Sequence, residues 1–208
     1  SISHEVRTPL TAVVGFAAEL RRSYAELDDE VVREMLGLVD AGSREVAAIV
    51  EDLLVAARAD IGSLTILQEE FAARAEVMTV LEGLIHSGQV ISVNGDAKVT
   101  GDTQRFRQVV RNLLTNAERY GGETVEVLIE QSQGRWSQIS VIDDGPGVGD
   151  RGDAVFDAYV RKEGERSQPG SVGLGLTVSR DLARMMGGEL WHERRNDKTH
   201  FIIRLPAA

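Results

Sequence analysis

A helical hairpin followed by an α/β sandwich, with a mixed sheet under a layer of helices, is the fold class this sequence predicts. Three observations carry the prediction. Apolar residues keep coiled-coil spacing from Val6 to Ala56. Past residue 62 short β-type runs alternate with helical ones. Two glycine-bearing segments, Asp143-Asp-Gly-Pro-Gly147 and Gly173-Leu-Gly-Leu176, stand at a strand end and a helix start in that second part.

The first helix is read from Val6, Leu10, Val13, Ala17 and Leu20, alternately four and three residues apart. A second run, Val32, Met35, Val39, Gly42, Val46, Ile49, Leu53 and Ala56, keeps the same spacing. Asp28 and Asp29 are N-cap candidates for it. One hairpin cannot fully bury such a seam, so pairing with a second copy into a four-helix bundle is expected. The alternative is a hairpin packed on the rest of its own chain. Next come a strand near Leu64–Gln68, a helix near Ala72–His86, and strands near Val90–Val93 and Lys98–Thr100. A helix over Asp102–Tyr120, strands near Thr124–Gln131 and Trp136–Ile142, a long glycine-bearing loop, a helix over Leu174–Met186 and two terminal strands complete the chain. The expected domains are 1–61 and 62–208, hinged at Ala59–Gly62.

At 208 residues there is room for two modest domains. A net charge of −10 argues against a nucleic-acid surface, because phosphate backbones call for clustered Lys and Arg. Zero cysteines remove disulfides, thiolate metal sites and cysteine nucleophiles. No run approaches the roughly 20 apolar residues of a membrane helix, and no leader pattern is present, so a cytoplasmic setting is expected for this piece. The chain opens at Ser1 directly before a histidine motif. It is expected to be a fragment of a larger protein, with any membrane anchor upstream.

With Val6 at heptad position d, His4 falls at b and Thr8 at f, one turn apart on the outer face. Most surface histidines are merely solvated. A neutral imidazole, however, carries a lone pair on one nitrogen and a proton on the other, and a carboxylate held close can accept that proton. Asn112 and Asn116 lie four apart on one helix face. Such a pair either caps and cross-links the core or offers hard amide oxygens to a cation such as Mg²⁺. Asp143 follows the apolar strand Ile139-Ser-Val-Ile142, so its carboxylate emerges at a strand end; the plain alternative is an Asp-Gly turn. The start of the helix after Gly173 presents N–H groups that attract phosphate, although glycine turns before helices are common.

Ser3-His-Glu-Val-Arg-Thr-Pro9, Asn112-Leu-Leu-Thr-Asn116-Ala and the two glycine segments, in this order, resemble the catalytic core of a sensor histidine kinase of a two-component system. The resemblance covers nearly the whole chain. It implies a dimerisation and histidine-phosphotransfer hairpin, then a GHKL-type (Bergerat) ATP-binding domain, with ATP and Mg²⁺ bound. It implies autophosphorylation on His4 and transfer to an aspartate of a response-regulator receiver domain. Glu5 would share the ring proton, and Thr8 would position water for phosphatase action on the regulator.

Asn116 would be the principal Mg²⁺ ligand, with Asn112 assisting. Arg119, where the family usually has Lys, would contact phosphate, and Tyr120 would line the adenine side. Asp143 would accept the adenine amino group, with Gly145 and Gly147 admitting the backbone close to the base. Val155-Phe-Asp-Ala-Tyr-Val-Arg161 resembles the family's F box. Arg161 would reach the γ-phosphate from a lid over 162–169, its alternative being a solvated charge. Gly173, Leu174, Gly175 and Leu176 complete the implied nucleotide contacts. The chain departs from the family at Ser171 and Val172, where a glycine and a polar residue are usual. The gyrase and Hsp90 group has a water-activating Glu at the position of Asn112; its absence favours transfer over hydrolysis. The rival reading is an ATP-binding and dimerisation module with weak or no kinase chemistry.

Overall fold

The computed structural model describes residues 2–61, 63–84, 89–131, 134–157 and 174–208, with the backbone alone at 2–5, 60, 150 and 151. Gly62, Ser171, Val172 and segment 162–169 therefore lie outside the described residues. The chain divides into two compact units, one running from the N-terminus to Leu64 and one beginning at Thr65.

In the first unit, α1 (Ile2–Ser23) and α2 (Asp29–Asp60) pair as a hairpin through a short 3-10 turn at Tyr24–Glu26. Asp28 takes the N-cap position of α2 with extended backbone; its carbonyl accepts from Val32 N, and its side chain makes no capping bond. The α2 stripe Val32, Met35, Val39, Gly42, Val46, Ile49 is half-buried or buried, as its spacing predicts.

In α1 the covered stripe differs from the one expected. Pro9 is buried and Val6, Val13, Phe16 and Leu20 are half-buried, whereas Leu10 and Ala17 are exposed. The cause is that α1 carries apolar residues at both sets of positions. The 9/13 set meets α2 at Gly42, where a Cβ would stand 2.7 Å from Val13 Cγ2 and 3.3 Å from the Pro9 carbonyl oxygen. Leu10 and Val14 remain 46% and 60% exposed, a second apolar stripe that the hairpin itself does not cover.

Gly42 is thus a point of close approach of the two helices, while Gly15 and Gly37 would find open space around an added Cβ. Gly15→Ala and Gly37→Ala should each stabilise the hairpin by about 1 kcal/mol through helix propensity alone. Gly42→Leu should destabilise it by about 1–3 kcal/mol because the neighbouring helix must move. Thermal melts followed by helical circular dichroism check the ordering; a Gly42→Leu variant as stable as Gly37→Ala would contradict this packing.

The second unit is a five-stranded sheet carrying helices on one face. Its strands are β2 (Val90–Gly95), β4 (Thr124–Gln131), β5 (Trp136–Asp143), β6 (Glu189–Arg195) and β7 (Lys198–Pro206). Their order is β2-β4-β5-β7-β6, parallel between β2 and β4 and antiparallel elsewhere. α3 (Ala73–Glu82), α4 (Thr103–Tyr120) and α5 (Gly175–Met185) form the helical layer, α4 against β5 and α5 against β6 and β7. A small antiparallel pair, β1 (Glu69–Ala72) with β3 (Lys98–Gly101), lies beside it.

The core follows the two periodicities. Val127, Ile139, Val141, Ile203 and Leu205 alternate inward from the strands, and Phe106, Val109, Val110, Leu113 and Leu182 meet them from the helices, all fully buried. Asp102 caps α4: one carboxylate oxygen accepts from Arg105 N at 3.0 Å and the other from Leu67 N at 3.0 Å. The strand expected near Leu64–Gln68 is not formed; pairing falls instead on Glu69–Ala72. β3 is only four residues long and β1 uses all of it, so 64–68 has no ladder to join. β6 and β7 are joined by a two-residue turn in which Asn196 (φ 49°) and Asp197 (φ 59°) are both left-handed, the conformation of a type I′ hairpin. No helix among the described residues is long and apolar enough to cross a membrane.

Candidate nucleotide site

The C-terminal end of β5 delivers Asp143 into the helical side of the sheet. Its side chain is almost entirely buried, and its carboxylate accepts from Gly145 N at 3.0 Å. Burial pushes the Asp143 carboxyl above its ordinary range. The Gly145 N–H bond, the Arg194 charge and the Thr199 hydroxyl pull the other way, and neighbouring Asp144 adds to the rise. Asp144 has a different fate. Both its oxygens are taken by Thr124, one from the backbone N–H at 3.0 Å and one from the hydroxyl at 2.7 Å, which holds it below the usual carboxylate range. Of the two adjacent carboxylates, Asp144 latches the loop to β4 and Asp143 is the one set in the site.

The backbone approaches here are tight enough to specify glycine. A Cβ on Gly145 would lie 2.6 Å from the Tyr120 carbonyl oxygen and 2.7 Å from Gly121 Cα, so the loop after β5 packs backbone to backbone on the end of α4. A Cβ on Gly121 would meet the Ala117 carbonyl oxygen at 2.3 Å and Asp143 Cβ at 3.0 Å. Gly147 has φ +79° and stands against the Arg194 guanidinium. Gln89 fastens the end of α4, its amide donating to the carbonyls of Ala117 (3.1 Å) and Gly122 (2.8 Å).

Asn112 and Asn116 fall one turn apart on α4, both half-buried. The Asn112 amide nitrogen donates to the Gly175 carbonyl and to Ser179 Oγ, each at 3.2 Å, tying α4 to the first turn of α5. Asn112 is therefore a cross-link between helices as well as a possessor of a hard oxygen. Arg119 is half-buried and Tyr120 about half-exposed at the end of the same helix. Leu174 is buried, Gly175 opens α5, and Leu176 is half-buried.

Phe156, from the F-box-like segment, is buried beneath Arg180, whose guanidinium carbon sits 4.8 Å from the ring centroid. Its carbonyl accepts from the Thr177 hydroxyl at 2.8 Å, which fixes the 3-10 segment Gly149–Phe156 to α5. Among the described residues no cluster of three or more imidazoles and carboxylates is present. A cation held beside Asn112 and Asn116 would take its remaining ligands from phosphate and water, the habit of Mg²⁺.

α4 thus carries Asn112, Asn116, Arg119 and Tyr120, with Asp143 and Gly145 against its C-terminal end, Gly147 following in the same loop, and Gly175, next to Leu176, bonded to Asn112. Arg161 and Gly173 lie outside the described residues. His4 and Glu5 belong to the backbone of α1, with side chains outside the description, and Thr8 follows them half-buried, less open than its heptad position predicts. Sequence reasoning missed Arg194, which donates to the Gly145 carbonyl at 2.9 Å and to Thr199 Oγ at 3.1 Å. It also missed Gln89 and Ser179. None of the three belongs to a local motif.

Residues 101–208 match the family described as histidine kinase-, DNA gyrase B-, and HSP90-like ATPase, and residues 1–62 match the His Kinase A (phospho-acceptor) domain. The sensor protein GacS of Pseudomonas syringae pv. syringae is 30% identical over 91% of this chain. The chain spans 22% of that relative's length. Among solved structures, the Acinetobacter baumannii histidine kinase AdeS shares the fold with TM-score 0.69 at 24% identity, covering 98% of both chains. Full-length ShkA in complex with AMPPNP shares it with TM-score 0.68 at 24% identity, over 99% of this chain and 44% of that one.

Proposed function

Because the chain belongs to the family of histidine kinase-, DNA gyrase B- and HSP90-like ATPases and carries a phospho-acceptor domain, we propose that it phosphorylates itself on His4 from ATP and passes the group to a response-regulator aspartate. The observation that supports this most is the Asp143 corner. A single buried carboxylate at a strand end, framed by glycine-only backbone approaches, suits a planar base whose amino group needs an acceptor.

Asp143 accepts the adenine amino group, Tyr120 flanks the base, and Arg119 meets phosphate as a fork of N–H donors. Gly173 to Leu176 lend phosphate the N-terminus of α5, and Arg161 reaches the γ-phosphate. Asn116, with Asn112, holds Mg²⁺, which when bound supplies positive charge to the phosphate oxygens. The His4 imidazole lone pair forms the N–P bond as the bond from the γ-phosphorus to its bridging oxygen breaks and ADP leaves. The ring proton passes to Glu5. A regulator aspartate then attacks the phosphorus and His4 is restored. Thr8, one turn from His4, positions water for the reverse traffic, hydrolysis of the regulator's acyl phosphate. The exposed Leu10 and Val14 stripe is covered by the hairpin of a second copy, giving a homodimer.

Incubation with γ-labelled ATP and Mg²⁺ tests the reading. Label that survives alkali, is lost in acid and is absent from His4→Gln, with ATP binding intact in that variant, is the expected result. Sustained phosphate release without protein label would instead make the chain an ATPase.

A further inference from the structure

Arg194 lies on β6, outside every motif the function uses, yet it is wired to the loop after β5. The ladders place Arg194 opposite Thr199 and Thr199 opposite Asp143, so the three residues form one row across β6, β7 and β5 on the helical side of the sheet. Along that row the Arg194 guanidinium donates to the Gly145 carbonyl and to the Thr199 hydroxyl oxygen. Thr199, buried, hydrogen-bonds the Asp143 carboxylate in turn.

We propose that Arg194 is a positioning residue for nucleotide. It ties the Asp143–Gly147 loop to β7 through one guanidinium nitrogen that donates to both the Gly145 carbonyl and the Thr199 hydroxyl, and it sets its positive charge in line with the Asp143 carboxylate that Thr199 bonds. This rests on the reading of Asp143 as the adenine acceptor. Two consequences follow from the geometry. The Gly145 carbonyl is held from the sheet edge on one side while its Cα is pressed on the end of α4 on the other, so the loop has no slack. And a positive charge sits at the far end of the row from a buried carboxylate that burial alone would drive toward protonation. The charges acting on Asp143 are Arg194 of β6 and Asp144 beside it, and His200 on β7 feels Asp143 in turn. The end of α4 presses on this corner with its backbone, the Tyr120 carbonyl and Gly121. Arg194 is exposed and is not part of the core, so its replacement leaves the core intact.

Calorimetric titration of the whole chain with MgATP across a pH series, for Arg194→Met, Arg194→Lys and Asp143→Asn, tests the proposal. Arg194→Met should weaken MgATP about tenfold at neutral pH, the equivalent of one charge-assisted bond. Its acid limb of binding should move to higher pH, because a carboxyl deprived of its cation ionises later. Arg194→Lys should return the limb toward its original pH while recovering the affinity only in part, since a compact ammonium supplies the charge without the planar guanidinium's placement of its donors. In autophosphorylation, KM for ATP should rise more than kcat falls.

An Arg194→Met variant with unaltered affinity, or one that is weaker and less stable with an unmoved acid limb, overturns the proposal; the second result would mark Arg194 as merely structural. If Asp143→Asn loses MgATP while Arg194→Met does not, only Arg194's role falls. If the unaltered chain fails to bind MgATP, or Asp143→Asn binds it as tightly, the adenine reading falls and this inference with it.

Discussion

Gly145→Ala is expected to lower nucleotide affinity by at least about 100-fold. The three atoms nearest the added Cβ, at 2.6, 2.7 and 2.8 Å, are all backbone of Tyr120 and Gly121. No side-chain rotation relieves them, so either the loop lifts or the end of α4 recedes. Lifting the loop breaks the Gly145 N–H bond to Asp143 and withdraws the carbonyl that Arg194 holds. Moving α4 disturbs the helix that carries Asn116, Arg119 and Tyr120. The strain itself costs about 1–3 kcal/mol of stability, so a melting curve accompanies the titration. An affinity within about threefold of the unaltered chain would place the nucleotide somewhere other than this corner.

Asp143→Asn should weaken ATP by about 10–100-fold, because it swaps a charged acceptor for an amide that keeps one oxygen on Gly145 N and turns an N–H toward the adenine amino group. Its effect on stability should have the opposite sense. The folded carboxyl titrates above its ordinary value of 3.8 because burial disfavours the charge. The folded state therefore holds the proton more tightly than the unfolded chain. This group's contribution to stability is most favourable in acid and declines as pH rises from the unfolded value through the raised folded one. Above the raised folded value the full penalty is present, and Asn removes it while keeping the Gly145 bond. The variant should melt no lower than the unaltered chain at neutral pH and should lose that advantage in acid. A lower melting temperature at neutral pH would contradict a desolvated charge at this position.

Much of this was legible in the sequence because it is locally encoded. The α2 stripe, the apolar face of α4, the Asp102 boundary and the strands around Val127 and Ile139 obey periods of 3.6 and 2 that a single segment displays. The α1 stripe held at Val6, Val13 and Leu20 but not at Leu10 and Ala17, because Pro9 and Phe16 compete with them for the covered face and periodicity alone does not say which set meets the partner helix. The strand at Leu64–Gln68 failed for want of a ladder, which only pairing reveals. At the site, the Asn pair and the glycine segments announced themselves by spacing. Arg194, Gln89 and Ser179 did not, since each acts on backbone or amide groups tens of residues away, through strand register or helix packing. The tie from Asn112 to Gly175 and Ser179 bears out the cross-linking reading of a helical Asn pair, made through the amide nitrogen.

The two-residue turn at Asn196 and Asp197 has a reach beyond its own hairpin. With Arg195 facing Lys198 across it, the turn's length sets which residue of β6 stands opposite Thr199. Sliding β6 by one residue would carry Arg194 to the other face of the sheet and bring Glu193 or Arg195 into its row, exchanging or reversing the charge offered to Asp143. An insertion or deletion at this surface loop is thus equivalent to a mutation inside the nucleotide site. Chains of this fold that differ only in the length of that turn would differ in how acid conditions govern their hold on ATP.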